Sequence, residues 1–206
     1  FTATGNPKWT LDIGGFFAGD DPESWFVSGD YPDGVEDMGY RELYVRWFQL
    51  GAFLPMFRSH GTHTPREVWQ FGEPGERFYD TLVAFDELRY RLLPYVYSLA
   101  GQETHRDYTM FRHLAFDFRE DHRVFDVADQ FMFGPSLMVC PVTDPMYYRP
   151  GSEPLPDRAE AREVYLPAGT DWYDFWTGQR HDGGQHVLAD APLEKIPLFV
   201  PVGSIL

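Results

Sequence analysis

The hydrophobic positions of the chain follow two patterns, and the change falls near residue 107. Before it, short apolar runs alternate with stretches of helical period. Lys8 to Ile13 is an apolar run of strand length, closed by Gly14-Gly15. Tyr40 to Ala52 carries Leu43, Trp47 and Leu50 at helical spacing, which predicts a helix with Trp47 in the core. Phe53 to Phe57 is again apolar and gives way to polar Arg58-Ser59-His60-Gly61. Phe78, Leu82, Phe85, Leu88, Leu92, Val96 and Leu99 then step by three or four. They predict an amphipathic helix from Phe78 to Ala100, kinked where Pro94 removes an amide. Two loops separate these elements: Gly19 to Gly39, rich in Gly, Asp and Pro, and Thr62 to Glu76.

The order strand, helix, strand, helix argues for a parallel α/β arrangement. Two such units cannot close a sheet. Residues 1–107 are therefore expected to be the last two β/α units of a (β/α)8 TIM barrel. Residues 108–206 read as strands and turns. Candidate strands are Met110–Phe118, Met132–Val142, Glu163–Leu166, Trp172–Phe175, His186–Leu188 and Leu198–Val202. Asp144 to Glu160, with its prolines and mixed charges, is a loop, and Gly183-Gly184 a turn. Short strands at this spacing predict an all-β sandwich domain. A chain opening on Phe1 and closing on an unturned apolar run is expected to be a fragment of a larger chain.

Composition narrows the function classes. Aromatics make up 17% of the 206 residues, too many for a disordered chain. No apolar run approaches the roughly 18–20 residues of a membrane helix, so no membrane partner is expected. Net charge is −15, a surface that repels phosphate backbones and makes nucleic acid an unexpected partner. The single Cys140 excludes an internal disulfide and, in its apolar run, reads as a small buried hydrophobe. No signal peptide is visible, and the compartment stays open between cytoplasmic and secreted or periplasmic. Nucleotide-binding glycine motifs, the serine-hydrolase elbow and the zinc-protease motif are all absent, and no cofactor is expected.

Barrel enzymes place their chemistry at the C-terminal strand ends. Two polar clusters fall there: Leu11 to Phe16 and Arg58 to Gly61. Asp12 interrupts an apolar strand, so it is either paired structurally or held for a ligand. Arg58 and His60 alternate with Ser59 and would share a strand face. Arg58 suits a buried carboxylate such as Asp12. His60 is either a donor to a sugar or phosphate oxygen or an exposed loop histidine. Phe16, directly after Gly15, suits a ligand wall better than Trp9, Phe17 or Trp25. His60 and His63 have no third ligand near them, and no metal site is expected.

These residues resemble glycoside hydrolase family 31. Trp9-Thr10-Leu11-Asp12-Ile13-Gly14-Gly15-Phe16-Phe17 is similar to one of its barrel strands. Arg46 to Phe53, then Phe57-Arg58-Ser59-His60-Gly61, resembles the next unit, and Leu88 to Tyr97 the closing helix. Asp129 to Gly134 and Trp172 to Gly178 resemble the β-domain that follows. The resemblance implies retaining, exo-acting hydrolysis of α-glycosidic bonds, which needs two carboxylates about 5–5.5 Å apart. In the family both lie on earlier strands, so the nucleophile and acid/base are expected upstream of Phe1 and no catalytic residue within the segment. The segment would hold the non-reducing sugar. Asp12 would fix the strand end and hydrogen-bond in or near that subsite, Phe16 line it, His60 hydrogen-bond a ring hydroxyl and Arg58 orient the carboxylates around it, so all four are expected to be substrate-binding.

Met56 to Thr62 with Pro65-Arg66-Glu67-Val68-Trp69-Gln70-Phe71-Gly72 looks most like the α-xylosidase branch. The expected substrate is an α-linked oligosaccharide such as a xyloglucan fragment. An α-glucosidase or α-glucosyl transglycosylase is the alternative, and a non-catalytic carbohydrate-binding module a more distant one. The loop Ser28 to Met38 is longer than the pattern, which leaves a homo-oligomer open.

Overall fold

Helix α1, Met38–Gly51, begins where the Asp37 carboxylate accepts the Gly39 amide at 2.7 Å. The computed structural model describes residues 2–19, 28–156 and 160–205; Trp25 and Leu206 lie outside them. The buried stripe of α1 is rotated from the expected one. Tyr40, Tyr44, Phe48 and Gly51 are buried, whereas Leu43, Trp47 and Leu50 are only partly so. A polar stripe on the flank accounts for the rotation, because Glu42, Arg46 and Gln49 are buried as well. Glu42 accepts the amides of Met146, Tyr147 and Tyr148 at 2.7, 3.0 and 2.9 Å. Arg46 donates to the carbonyls of Ala191, Pro192 and Lys195 at 2.9, 3.0 and 3.0 Å. Gln49 donates to the Leu193 carbonyl at 2.6 Å. These bonds carry α1 onto the second half of the chain.

The expected single helix is two: α2, Arg77–Arg91, and α3, Leu93–Arg106. They part at Leu92, and Pro94 falls in the first turn of α3, where a missing amide costs nothing. The proline opens a new helix instead of kinking an old one. The stepped residues Phe78, Leu82, Phe85, Leu88, Leu92 and Leu99 are buried as expected.

The strands expected at Lys8–Ile13 and Phe53–Phe57 do not form. Phe53 and Leu54 instead form a turn that follows the end of α1, their amides bonded to the Leu50 and Gly51 carbonyls, and both are fully buried. Pairing comes further on, as two parallel bridges, Ile13 with Ser59 and Phe17 with Thr62. Among the described residues each segment pairs only with the other, and one neighbour does not sustain a ladder.

Beyond α3 all strand pairs are antiparallel. The strands are β1 Phe111–His113, β2 Phe131–Phe133, β3 Leu137–Val139, β4 Tyr148–Arg149 and β5 Glu153–Pro154. They continue as β6 Ala161–Leu166, β7 Trp172–Asp174, β8 Arg180–His181, β9 Gln185–Asp190 and β10 Leu198–Pro201. Six make one sheet in the order β1-β2-β3-β10-β7-β8; β6 pairs with β9, and β4 with β5 inside the proline-rich loop. The run Met132–Val142, expected as one strand, is the β2–β3 hairpin. Met110–Phe118 keeps only β1 before a 3-10 turn at Leu114–Phe116.

The large sheet is buried on both faces. Phe131, Phe133, Leu137, Val139 and Leu198 join the core shared with the helices. Met132, Met138, Cys140, Trp172 and Phe199 pack with Val164, Tyr165, Leu166 and Ala189 of the β6–β9 pair. Double burial is why these strands read as unbroken apolar runs with no polar alternation.

Candidate functional site

The two bridged segments run parallel, so their polar ends come out on one side. There Arg58 Nη2 donates to Asp12 Oδ1 at 2.6 Å. The two side chains are 47% and 28% exposed. An ion pair so exposed adds little stability; it sets where both groups stand. Of the two readings of Asp12, pairing is therefore present. The Phe16 and His60 ring centres lie 5.5 Å apart, and Phe16 meets Phe17 edge-on at 4.7 Å. Phe16 is 40% exposed and His60 is exposed. All four predicted residues thus sit on the paired ends of the two segments, as an ion pair and a ring pair.

The turn beneath them is built by glycine. The Gly15 amide bonds back to the Asp12 carbonyl at 2.8 Å. Gly14 is left-handed at φ +82°, and a Cβ there would lie 2.5 Å from the Tyr44 ring. Only glycine permits both that φ and that approach to α1. The Tyr44 hydroxyl donates to the Arg66 carbonyl at 2.7 Å, leaving its oxygen to accept from Ser59 Oγ at 2.9 Å. Burial pushes the Tyr44 hydroxyl up to about 12 against the opposing pull of the Ser59 bond, so it stays a neutral donor.

Arg66 and Tyr44 were not singled out from the sequence. Arg66 reaches from the 62–76 loop to the first segment, donating to the Gly15 and Phe16 carbonyls at 2.6 and 3.2 Å. Tyr44 had a signal, the Tyr40-Tyr44-Phe48 stripe. Arg66 had only its place in the Pro65-Arg66-Glu67-Val68-Trp69 run.

A cavity of about 520 Å³ runs along residues 57–61, walled by Arg58, His60, Arg66, Trp69 and Asp86 among others. Asp12 and Phe16 are not among its walls, and Tyr44, Phe48 and Asp86 place it toward the helices. The side-chain pairs define the site better than this cavity does. Among the described residues no three His, Cys, Asp or Glu side chains converge as a metal ion requires. No described helix is long and apolar enough to cross a membrane. A carboxylate, a guanidinium and an imidazole beside an exposed aromatic edge combine hydroxyl-binding groups with an apolar wall. That is the chemistry that recognises a sugar ring.

The comparisons with known proteins agree with that chemistry. Residues 1–99 match the glycosyl hydrolase family 31 TIM-barrel domain, and residues 107–206 the family's C-terminal domain. An α-xylosidase of Saccharolobus solfataricus is 41% identical over 206 residues, 100% of this chain and 24% of its own. The crystal structure of an α-xylosidase from Xanthomonas citri superposes with a TM-score of 0.80 at 44% identity. It covers 97% of this chain and 20% of its own. Alpha-glucosidase 2 of Bacillus thermoamyloliquefaciens is 34% identical over 167 residues, 80% of this chain and 19% of its own. The chain thus spans a quarter or less of the length of these relatives.

Proposed function

The chain belongs to glycosyl hydrolase family 31, and from that premise we propose that it is part of a retaining, exo-acting α-glycoside hydrolase releasing α-linked xylose from oligosaccharides. The observation that carries the xylose reading is the match to two α-xylosidases, at 41% and 44% identity over essentially the whole chain. In this reading residues 1–107 are the last two β/α units of the catalytic barrel and residues 108–206 the sandwich behind it. The nucleophile and the acid/base stand outside this segment.

The four residues at the paired ends then have distinct tasks. His60 hydrogen-bonds a hydroxyl of the non-reducing sugar. Phe16, packed beside it, supplies the apolar wall. Arg58 and Asp12 hold each other at 2.6 Å and orient the carboxylates brought by the rest of the barrel. Hydroxyl bonds that tighten as the ring flattens toward the oxocarbenium ion act on the transition state more than on the ground state. Release of α-linked glucose, by hydrolysis or transfer, is the second reading, supported by the 34% identity to an α-glucosidase.

The deciding experiment compares kcat/KM of the full-length enzyme on aryl α-xyloside and aryl α-glucoside. A xyloside preference is expected, and a glucoside preference overturns the reading. In the same protein His60→Ala lowers kcat/KM by about 10–1,000-fold, the range of a lost transition-state hydroxyl bond. Unchanged kinetics would remove His60 from the subsite.

A further inference from the structure

We infer that Arg66 is the positioning residue that holds Phe16 and His60 in register across the two site segments. The inference rests on the subsite reading above and goes beyond it, to a residue outside the four assigned there. Three independent contacts meet at this side chain and its backbone. Its Nη2 donates to the carbonyls of Gly15 and Phe16 at 2.6 and 3.2 Å, on the segment that carries Asp12 and Phe16. Its guanidinium packs onto Gly61, next to His60, so closely that a Cβ there would lie 2.2 Å from Arg66 Cζ. Its carbonyl accepts the Tyr44 hydroxyl, which in turn accepts from Ser59, the residue before His60. Arg66 therefore touches the backbone on which Phe16 sits and Gly61, the residue after His60, and reaches Ser59, the residue before it, through the Tyr44 hydroxyl.

The chemistry suits the task. Between Phe17 and Thr62 the two segments share a parallel bridge, and between Ile13 and Ser59 another. Between the two bridges Thr62 N also donates to Phe16 O at 3.0 Å. A planar guanidinium offers several donors in a fixed fork and bonds two successive carbonyls, Gly15 O and Phe16 O, the second shared with Thr62 N. Lysine keeps the charge but presents a single ammonium without the fork. Displacing a binding group by about 1 Å costs on the order of 100-fold in rate. That is the scale at which a loosened Phe16–His60 pair would be read.

The test uses the full-length enzyme and three variants: Arg66→Lys, Gly61→Ala and His60→Ala, with the double variant Arg66→Lys/His60→Ala. Gly61→Ala keeps Arg66 but pushes its flexible end aside. Arg66→Lys and Gly61→Ala are each expected to lower kcat for aryl α-xyloside by about 10–100-fold while KM changes by less than about threefold. In the His60→Ala background Arg66→Lys is expected to have a clearly smaller further effect than in the parent enzyme, because one of the two groups it holds in register is gone. Losses that multiply in the double variant overturn the inference, as does an unchanged kcat in Arg66→Lys. If His60→Ala itself leaves kinetics intact, the subsite reading fails. If His60→Ala is impaired and Arg66→Lys is not, only the positioning role fails.

Discussion

At the residue scale, the charged side chains of this protein find two kinds of partner: Arg58 meets the Asp12 carboxylate, and Arg66 meets backbone carbonyls. Asp12 in an apolar strand called for a cation, and Arg58 at the matching end of the next segment supplies it at 2.6 Å. Cys140 read as a small hydrophobe and is fully buried, its thiol pushed up to about 12 by that burial. Arg66 gave no such signal, because its partners are carbonyls, which every residue owns. Asp121, in the second half, combines backbone and side-chain partners. Burial works against its ionisation, but bonds from the Ala168 amide, the Tyr165 hydroxyl and Arg123 prevail and hold it at about 2. Its folded pKa lies below the unfolded value of 3.8, so its contribution is full above about pH 4 and fades as pH falls toward 2. Asp121→Ala is therefore expected to destabilise the protein at neutral pH by about 2–4 kcal/mol, in the range of a broken buried network. Acid titration followed by near-ultraviolet circular dichroism should lose the part of the unfolding limb between pH 4 and 2. An identical limb in the variant would show that Asp121 bears none of it.

At the element scale, period found the helices but not the buried face of α1. The stripe Leu43, Trp47, Leu50 is the flank of α1, because Glu42, Arg46 and Gln49 take part of the interior. Buried polar groups are admissible when they are bonded, and here the loop 146–148 bonds Glu42 and the segment 191–195 bonds both terminal nitrogens of Arg46. Glu42→Ala would strand three amides at once. It is expected to cost about 2–5 kcal/mol and to speed hydrogen exchange at Met146, Tyr147 and Tyr148 ahead of global unfolding. Unaltered protection at those amides would mean that Glu42 does not tether the loop. The helix expected from Phe78 to Ala100 was right in register and wrong in continuity. A proline is equally at home starting a helix or bending one, and only the dihedrals at Leu92 choose.

At the scale of the whole molecule, the two halves differ in how they hold together. The sheet of the second half has neighbours for β2, β3, β10 and β7 on both edges. Segments 9–17 and 56–62 have one partner each among the described residues. Expressed as 206 residues alone, the chain is expected to unfold without a single cooperative thermal transition, amides of 9–17 and 56–62 exchanging first and exposed edges promoting aggregation. One sharp transition with uniform protection would contradict this. By itself the sequence determined the change of pattern near residue 107, the positions of the helices, the apolar strands of the second half and the four residues at the segment ends. It did so because each rests on local period or on a residue type out of place in its run. Only the tertiary structure decided which face of α1 is buried, that Lys8–Ile13 and Phe53–Phe57 do not become strands, and that Arg66 joins the two site segments. Those outcomes depend on partners distant in the chain and on backbone groups common to all residues, and neither leaves a trace in the order of side chains.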